Sequence, residues 1–358
     1  MRENARVHYD SLDGLRGLAF LIVLASHLSE VHGFGIIGIG HQGVWIFFLL
    51  STFLISEYFL QKPQRAKSLQ EWVNYASRRF FRIFPLFVIA LLAYYFTGYI
   101  NLQQLLGSLS LKYAWGHLWT IPVQLTSYII IPFLLLIPIF ALPKRTIPTI
   151  LLIALLAIVV EILIPDTTNP GLSINILYYL PVFFYGIIAS IINDRLKRTK
   201  SEGQTIYLFE IIGVCSLLFA VVATPTVWSL LFYKVSEGYF ANHSALLGLL
   251  WAIFLVCLVN SHFLKRAFAN TLLRKIGKIS YSGYLLHVLI INTVITYVSS
   301  REIIFAPISI ILTMIIASVT YLLIEKPLSK IKLKDILNRY NTLTHRIPLI
   351  QEPKTKEP

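Results

Sequence analysis

The chain has 358 residues, 56% of them apolar and only 13% charged, against the roughly 25% charged residues of an ordinary soluble domain. With a mean hydropathy of +0.70, so much apolar surface excludes a water-soluble core, and the expected fold class is all-α: a polytopic membrane protein, a bundle of about ten transmembrane helices. A net charge of +14 would point to nucleic acid in a soluble protein, so the placement of the charges along the chain has to be read before their sign.

In chain order, apolar stretches of about 17 to 22 residues predict spans over 12–30, 41–60, 83–100, 118–141, 147–164, 174–192, 205–223, 241–260, 280–298 and 303–324. The first stands behind charged residues, lacks a small-residue cleavage site and contains Arg16 and His27. It is therefore expected to remain as the first helix and not to be removed as a signal. The fourth holds Pro122, Pro132 and Pro138, which predicts a kinked or broken span walled by neighbouring protein, a candidate cavity wall. Cys215 and Cys257 fall in apolar spans and are read as small buried residues, not as a disulfide or a metal site. Residues 1–328 form the membrane domain on this reading. Residues 329–358 form a basic tail, partly disordered and too short for a second domain.

With the N-terminus in the cytoplasm, these spans put 28 of the 31 Lys and Arg residues in inside segments and leave only Lys112, Lys234 and Arg301 outside. The bias predicts a multi-pass protein of the plasma membrane with both termini cytoplasmic. It turns the basic excess into a topology signal and removes nucleic acid as a partner.

Ionisable side chains inside the membrane are costly, so each needs a partner or a task. Arg16 and His27 lie eleven positions apart, about 16 Å along one helix at ~1.5 Å per residue, so they sit near opposite surfaces. Position alone leaves Arg16 open between a snorkelling anchor and a binding residue, and His27 between a hydrogen-bonded core histidine and a reactive one. Arg79 and Arg82 are three apart and share a helix face, so two guanidinium groups point together, either at anionic lipid or at a phosphate-rich ligand. His32, His41, His117 and His243 are expected near the outer face with His27, but no two share one helix turn at ligand spacing, so no metal site is expected.

The run Leu12-Asp13-Gly14-Leu15-Arg16-Gly17-Leu18-Ala19 continuing to His27 is followed by Gly43-Val44-Trp45-Ile46-Phe47-Phe48-Leu49-Leu50-Ser51 and by Arg78-Arg79-Phe80-Phe81-Arg82-Ile83-Phe84-Pro85. Then come His117-Leu118-Trp119-Thr120 with Tyr128, Gly277-Lys278-Ile279-Ser280-Tyr281-Ser282-Gly283-Tyr284 ending at His287, and Ile324-Glu325-Lys326-Pro327. In this order, over roughly residues 10 to 328, the chain resembles the membrane acyltransferase family 3 proteins.

The resemblance implies a membrane-embedded O-acyltransferase of a bacterial inner membrane. It would move an acyl group, most often acetyl, from cytoplasmic acyl-CoA to a hydroxyl of an envelope or secreted carbohydrate, including a lipid-linked glycan. It makes His27 the catalytic residue, as general base or as acyl carrier, makes Arg16, Arg79 and Arg82 the residues that hold the donor's phosphates, and requires one continuous cavity to connect the imidazole with the guanidinium groups. His117, Trp119, Gln124 and Trp45 become acceptor-site or supporting residues. His287 and Glu325 are expected toward the cytoplasmic half, as packing or as lining of the donor entrance. Some relatives carry a further extracytoplasmic domain, which leaves room for a separate extracytoplasmic partner here. The family usually has carboxylates where Trp45 and Gln124 stand, and a glycine at Thr52. Those departures keep two other readings open, a glycan transporter and a catalytically silent homologue.

Overall fold

The computed structural model describes residues 9–33, 39–142, 145–164, 173–199, 205–232 and 244–331. Among these, eight helices are long and apolar enough to cross a membrane, or nine if the bent pair Tyr207–Val222 and Pro225–Phe232, at 83°, is one span. Each of the ten expected spans meets a helix. The one that falls short by length is Ser244–Asn260, apolar but with 17 residues. The architecture is that of an all-α polytopic membrane protein. The expected tail beyond residue 331, Arg2, Arg6 and His243 lie outside the described residues.

In chain order the helices are α1 (Asp10–His32), α2 (Ile39–Leu60), α3 (Leu69–Phe96), α4 (Leu102–Leu109), α5 (Thr120–Leu136), α6 (Thr146–Leu163), α7 (Leu180–Thr199), α8 (Thr205–Val222), α9 (Pro225–Phe232), α10 (Ser244–Asn260), α11 (Phe263–Phe268), α12 (Thr271–Ile295) and α13 (Phe305–Thr320). Helix α1 packs on α2 and α12, α2 packs on α7, and α7 packs on α6 and α10. The windows of α2 and α7 are 72% buried, whereas those of α6 and of Phe305–Leu328 are 17% buried. The first pair is therefore the core, and α6 and α13 turn Leu151, Leu155, Ile162 and Ile311 outward, as helices facing lipid must.

Glycine sets the closest contact. A Cβ on Gly277 of α12 would lie 1.8 Å from the Asp13 carbonyl oxygen of α1, and one on Gly14 would lie 1.7 Å from that of Phe268. Any side chain there meets a main-chain carbonyl, so Gly277 lets α12, and Gly14 lets the end of α11, touch α1 backbone to backbone. The close approach that Thr52 would obstruct is made from the other side, since Gly186 of α7 faces the Thr52 side chain.

One buried polar network ties four helix ends together. Glu57 of α2, 4% exposed, accepts from Tyr9 Oη–H at 3.1 Å and from Asn193 Nδ2–H at 2.9 Å, and pairs with Lys197 Nζ at 2.8 Å. Asn260 of α10 donates to Asn193 at 3.1 Å. A buried carboxylate is tolerated because it is paired and hydrogen-bonded. The start of α1 and the ends of α2, α7 and α10 therefore lie at one end of the bundle, as alternating spans require.

Three segments differ from the spans read in the sequence. Helix α3 begins at Leu69, with Ser68 accepting from the Glu71 N–H, so both arginines lie inside a helix and not at its start. Hydropathy marks where a helix enters lipid, whereas capping and propensity decide where it begins. For the same reason α12 begins at Thr271, capped by Asn270. The fourth span, Gly116–Phe140, is continuous. It accommodates its prolines by changing turn geometry, from a 3-10 turn at Gly116–Trp119 through α5 to a π turn at Ile137–Ala141. Pro122 sits in the first turn of α5, where no intrahelical N–H is needed.

Candidate active site

Helix α1 carries a charged group at each end. At its first end, Arg16 is held by Asp13 at 2.8 Å, one turn earlier. Arg79 and Arg82, on one face of α3, join Arg16 in a cavity with about 740 Å³ of empty space, its open mouth included. The Arg79 guanidinium lies 5.2 Å from the Tyr128 ring centre and 5.7 Å from that of Tyr75, and stacking holds its plane. Among the described residues Arg79 and Arg82 form no ion pair. Three guanidinium groups, with Asp13 paired to Arg16 and the buried Glu325 near Arg82 and Arg16, leave an excess of positive charge that makes this an anion site, and their forked donors suit phosphate.

Gln124 lines the same cavity and donates to Ser127 Oγ at 2.9 Å. It is thereby placed with the arginines and not in a site around His27. Glu325 is buried and accepts from Ser282 Oγ–H at 2.6 Å, a packing role beside the cavity.

At the far end of α1, His27 Nδ1 lies 3.2 Å from Glu30 Oε2, and Ser26 Oγ–H donates to Glu30 Oε1 at 3.1 Å. A carboxylate accepts only, so Nδ1 carries the proton and Nε2 presents its lone pair. The His27 side chain is 31% exposed.

The rings around His27 correct two expectations. The His287 ring centre is 5.1 Å from that of His27, and the His117 ring is 6.2 Å from His27 and 4.8 Å from His287. His287 thus belongs to the His27 end and not to the arginine end, because α12 starts at Thr271 and residue 287 lies about 24 Å along it at ~1.5 Å per residue. His117, expected at an acceptor site, does stand beside His27. Trp45 and Trp119 instead form a buried aromatic cluster with Phe48 and Tyr179, with Trp45 stacked on His41 at 5.9 Å.

The second correction concerns the passage between the two ends. The cavity extends as far as Thr120 and Tyr284, and His27 is not part of its wall. Thr120 Oγ1–H donates to Tyr284 Oη at 3.0 Å, and Tyr284 Oη–H to the His117 carbonyl at 2.7 Å. The Tyr284 ring touches both His117 and His287. This hydrogen-bonded layer separates the arginine cavity from the three imidazoles, where a continuous cavity is expected from the sequence.

Sequence reasoning missed Glu30, Asp13 and the His27 side of His287. Glu30 and Asp13 were within reach, since each stands three residues from its partner on one helix, the spacing at which side chains meet. Glu30 also supplies the carboxylate that Trp45 and Gln124 do not. Among the described residues, no group of three or more His, Cys, Asp or Glu side chains is arranged to hold a metal ion.

A family model described as an acyltransferase domain matches residues 9–322. A Staphylococcus aureus (strain COL) protein named "Putative O-acetyltransferase" is 24% identical, with 89% of this chain and 57% of the relative covered. The peptidoglycan O-acetyltransferase OatA of Listeria monocytogenes is 26% identical, with 91% of this chain and 56% of the relative covered. The chain thus spans little more than half the length of these curated relatives. No solved structure matches. With the matched region containing Arg16, His27, Arg79, Arg82, His117 and His287 on one polytopic α-helical frame, the chain belongs to the acyltransferase 3 family.

Proposed function

We propose that the protein is a membrane O-acyltransferase that takes an acyl group, acetyl by preference, from acyl-CoA and delivers it to a hydroxyl of an envelope or secreted carbohydrate. The observation that carries this reading is the polarity of α1, with a phosphate-suited arginine cluster at one end and a carboxylate-oriented, partly exposed imidazole at the other. The charge bias of the loops supports a cytoplasmic arginine end, cytoplasmic termini and a bacterial inner membrane.

In this mechanism Arg16, Arg79 and Arg82 bind the nucleotide phosphates, and the flexible arm of the donor points along the bundle. The layer of Thr120 and Tyr284 opens as the arm enters, so the thioester meets His27 only when the donor is bound. In direct transfer, His27 Nε2 takes the proton of the acceptor hydroxyl as its oxygen attacks the thioester carbonyl. The carbon–sulfur bond breaks, and the thiolate leaves with the proton that His27 returns. In a two-step route the same lone pair attacks the thioester first and an acyl-imidazole carries the group. Mass analysis of the protein after exposure to donor alone separates the two routes.

The test uses sealed membrane vesicles of known orientation with labelled acetyl-CoA and an oligosaccharide acceptor. Acyl ester should form when the donor is on the arginine face and the acceptor on the His27 face, and donor consumption should require acceptor. Glycan accumulating inside vesicles without any acyl donor would replace this reading with transport.

Glu30 has a defined part in this scheme. Glu30→Gln keeps an acceptor for Nδ1–H but removes the charge facing the imidazolium. Because Glu30 is 50% exposed, solvent screens that charge, and kcat should fall by roughly tenfold. Glu30→Ala frees the ring as well and should cost about a hundredfold. Steady-state rates with donor and acceptor both saturating measure the two.

A further inference from the structure

Two of the three imidazoles at the His27 end are locked with a lone pair facing nothing. His287, fully buried, has Nδ1 2.7 Å from the Tyr284 carbonyl and 3.2 Å from that of Gly283. A carbonyl accepts only, so Nδ1 bears the proton and Nε2 is bare. Nε2 is buried and has no hydrogen-bond partner. His117, 6% exposed, is fixed in the opposite sense. Its Nε2–H faces the Leu285 carbonyl at 3.4 Å, and its buried Nδ1 has no partner.

The backbone around these rings is held as well. Tyr94 Oη–H donates to the Leu285 carbonyl at 3.2 Å and accepts the Leu289 N–H at 2.9 Å, bridging two groups that an α-helix pairs with each other. Three helices therefore converge to keep both histidines in their tautomers.

A buried acceptor without a donor is an unfavourable arrangement that a fold retains where something supplies the donor. In the resting trio none exists, because His27 also turns a lone pair outward once its own N–H is spent on Glu30. One added proton changes this: the His287 and His117 ring centres lie 5.1 and 6.2 Å from that of His27, so an imidazolium at His27 stands beside two rings that each keep a bare nitrogen.

We propose that His117 and His287 are positioning residues that share the proton His27 takes from the acceptor hydroxyl, each offering its unpartnered nitrogen to the imidazolium. The proton leaves the hydroxyl as its oxygen attacks the thioester carbonyl, resides on His27 Nε2 within this pocket of lone pairs, and departs on the thiolate sulfur. Both neighbours remain neutral throughout, since burial opposes a second charge. The place of this step in the reaction rests on the O-acyltransferase reading, whereas the lone pairs belong to the resting fold.

The other ionisable groups near this trio are Glu30 on the helix of His27, His41 of α2, and Tyr94 of α3 and Tyr284 of α12, whose rings lie against His117. His41 stacks on Trp45, and its ring is not among those packed on His27. Removing either neighbour should therefore lower the pH at which His27 protonates.

The experiment follows modification of His27 by diethyl pyrocarbonate, which attacks neutral imidazole, by peptide mass analysis across pH on the full-length protein in detergent or nanodiscs. In His287→Leu and in His117→Leu the midpoint should fall by about one unit, the expected worth of a hydrogen bond to a charged group. His287→Gln and His117→Gln keep an acceptor oxygen and should restore most of the shift. In the transfer assay the leucine variants should lose roughly 10- to 100-fold in kcat, with the donor KM unchanged. The two leucine variants lie on different elements, so misfolding of one leaves the other to decide.

A midpoint unmoved or raised in a folded leucine variant overturns the proposal, even if transfer falls. A shifted midpoint in a protein that transfers nothing leaves the shared proton standing and overturns the acyltransferase reading instead.

Discussion

Membranes carrying His27→Ala should transfer acyl groups about 10²- to 10⁴-fold more slowly than the wild type, with the protein still inserted and still binding donor. The range is that of a positioned general base, and it applies because His27 has every feature the role needs. Its Nδ1–H is fixed by Glu30 and its Nε2 is bare. Its side chain is 31% exposed. Substitution by alanine removes a ring that packs on His117 and His287, so His27→Gln serves as the second variant, retaining bulk and polarity without a basic nitrogen. Both should be inactive at neutral pH. Normal turnover by either would remove His27 from the chemistry and with it the proposed reaction.

The second large effect is expected at the opposite end of α1, and it should have a different kinetic form. In the proposed function Arg79→Gln and Arg82→Gln each remove a charged group that would bind phosphate equally in the ground and transition states, so the donor KM should rise while kcat changes little. A hydrogen bond to a charged group is worth about 1.5–3 kcal/mol, or roughly 10- to 100-fold in KM for each arginine. The double variant should fall short of the product of the two, because both groups share one cavity. Replacement by lysine should recover only part, since an ammonium lacks the planar fork. Titration with a donor analogue lacking the 3'-phosphate and pyrophosphate supplies the control. It should bind wild type and variants alike, and a strong preference of the wild type for that truncated donor would argue against phosphate recognition. Arg16 is a poorer test, because its pairing with Asp13 at 2.8 Å ties it to the packing of α1 on α12.

These two effects are predicted on separate kinetic constants because a layer stands between the sites. Thr120 and Tyr284 are hydrogen-bonded to each other and to the His117 carbonyl, so the arginine cavity can fill before the imidazoles are reached.

The all-α membrane class, a helix at each expected apolar stretch, the arginine pair on one helix face and the separation of Arg16 from His27 were legible in the residues themselves. Each follows from a local rule: about 1.5 Å of rise per residue, an apolar run long enough to cross lipid, and three-residue spacing on a helix. The partnership of His27 with Glu30 obeys the same rule and could have been read as well. The neighbourhood of His287, the removal of Gln124 to the arginine cavity and the layer built by Tyr284 could not. They depend on where distant helices stand against one another; for α12 against α1 that is set by backbone contact at Gly17 and Gly277, across more than two hundred residues of intervening chain. Local chemistry decided which groups this protein has; the meeting of distant helices decided which of them face one another.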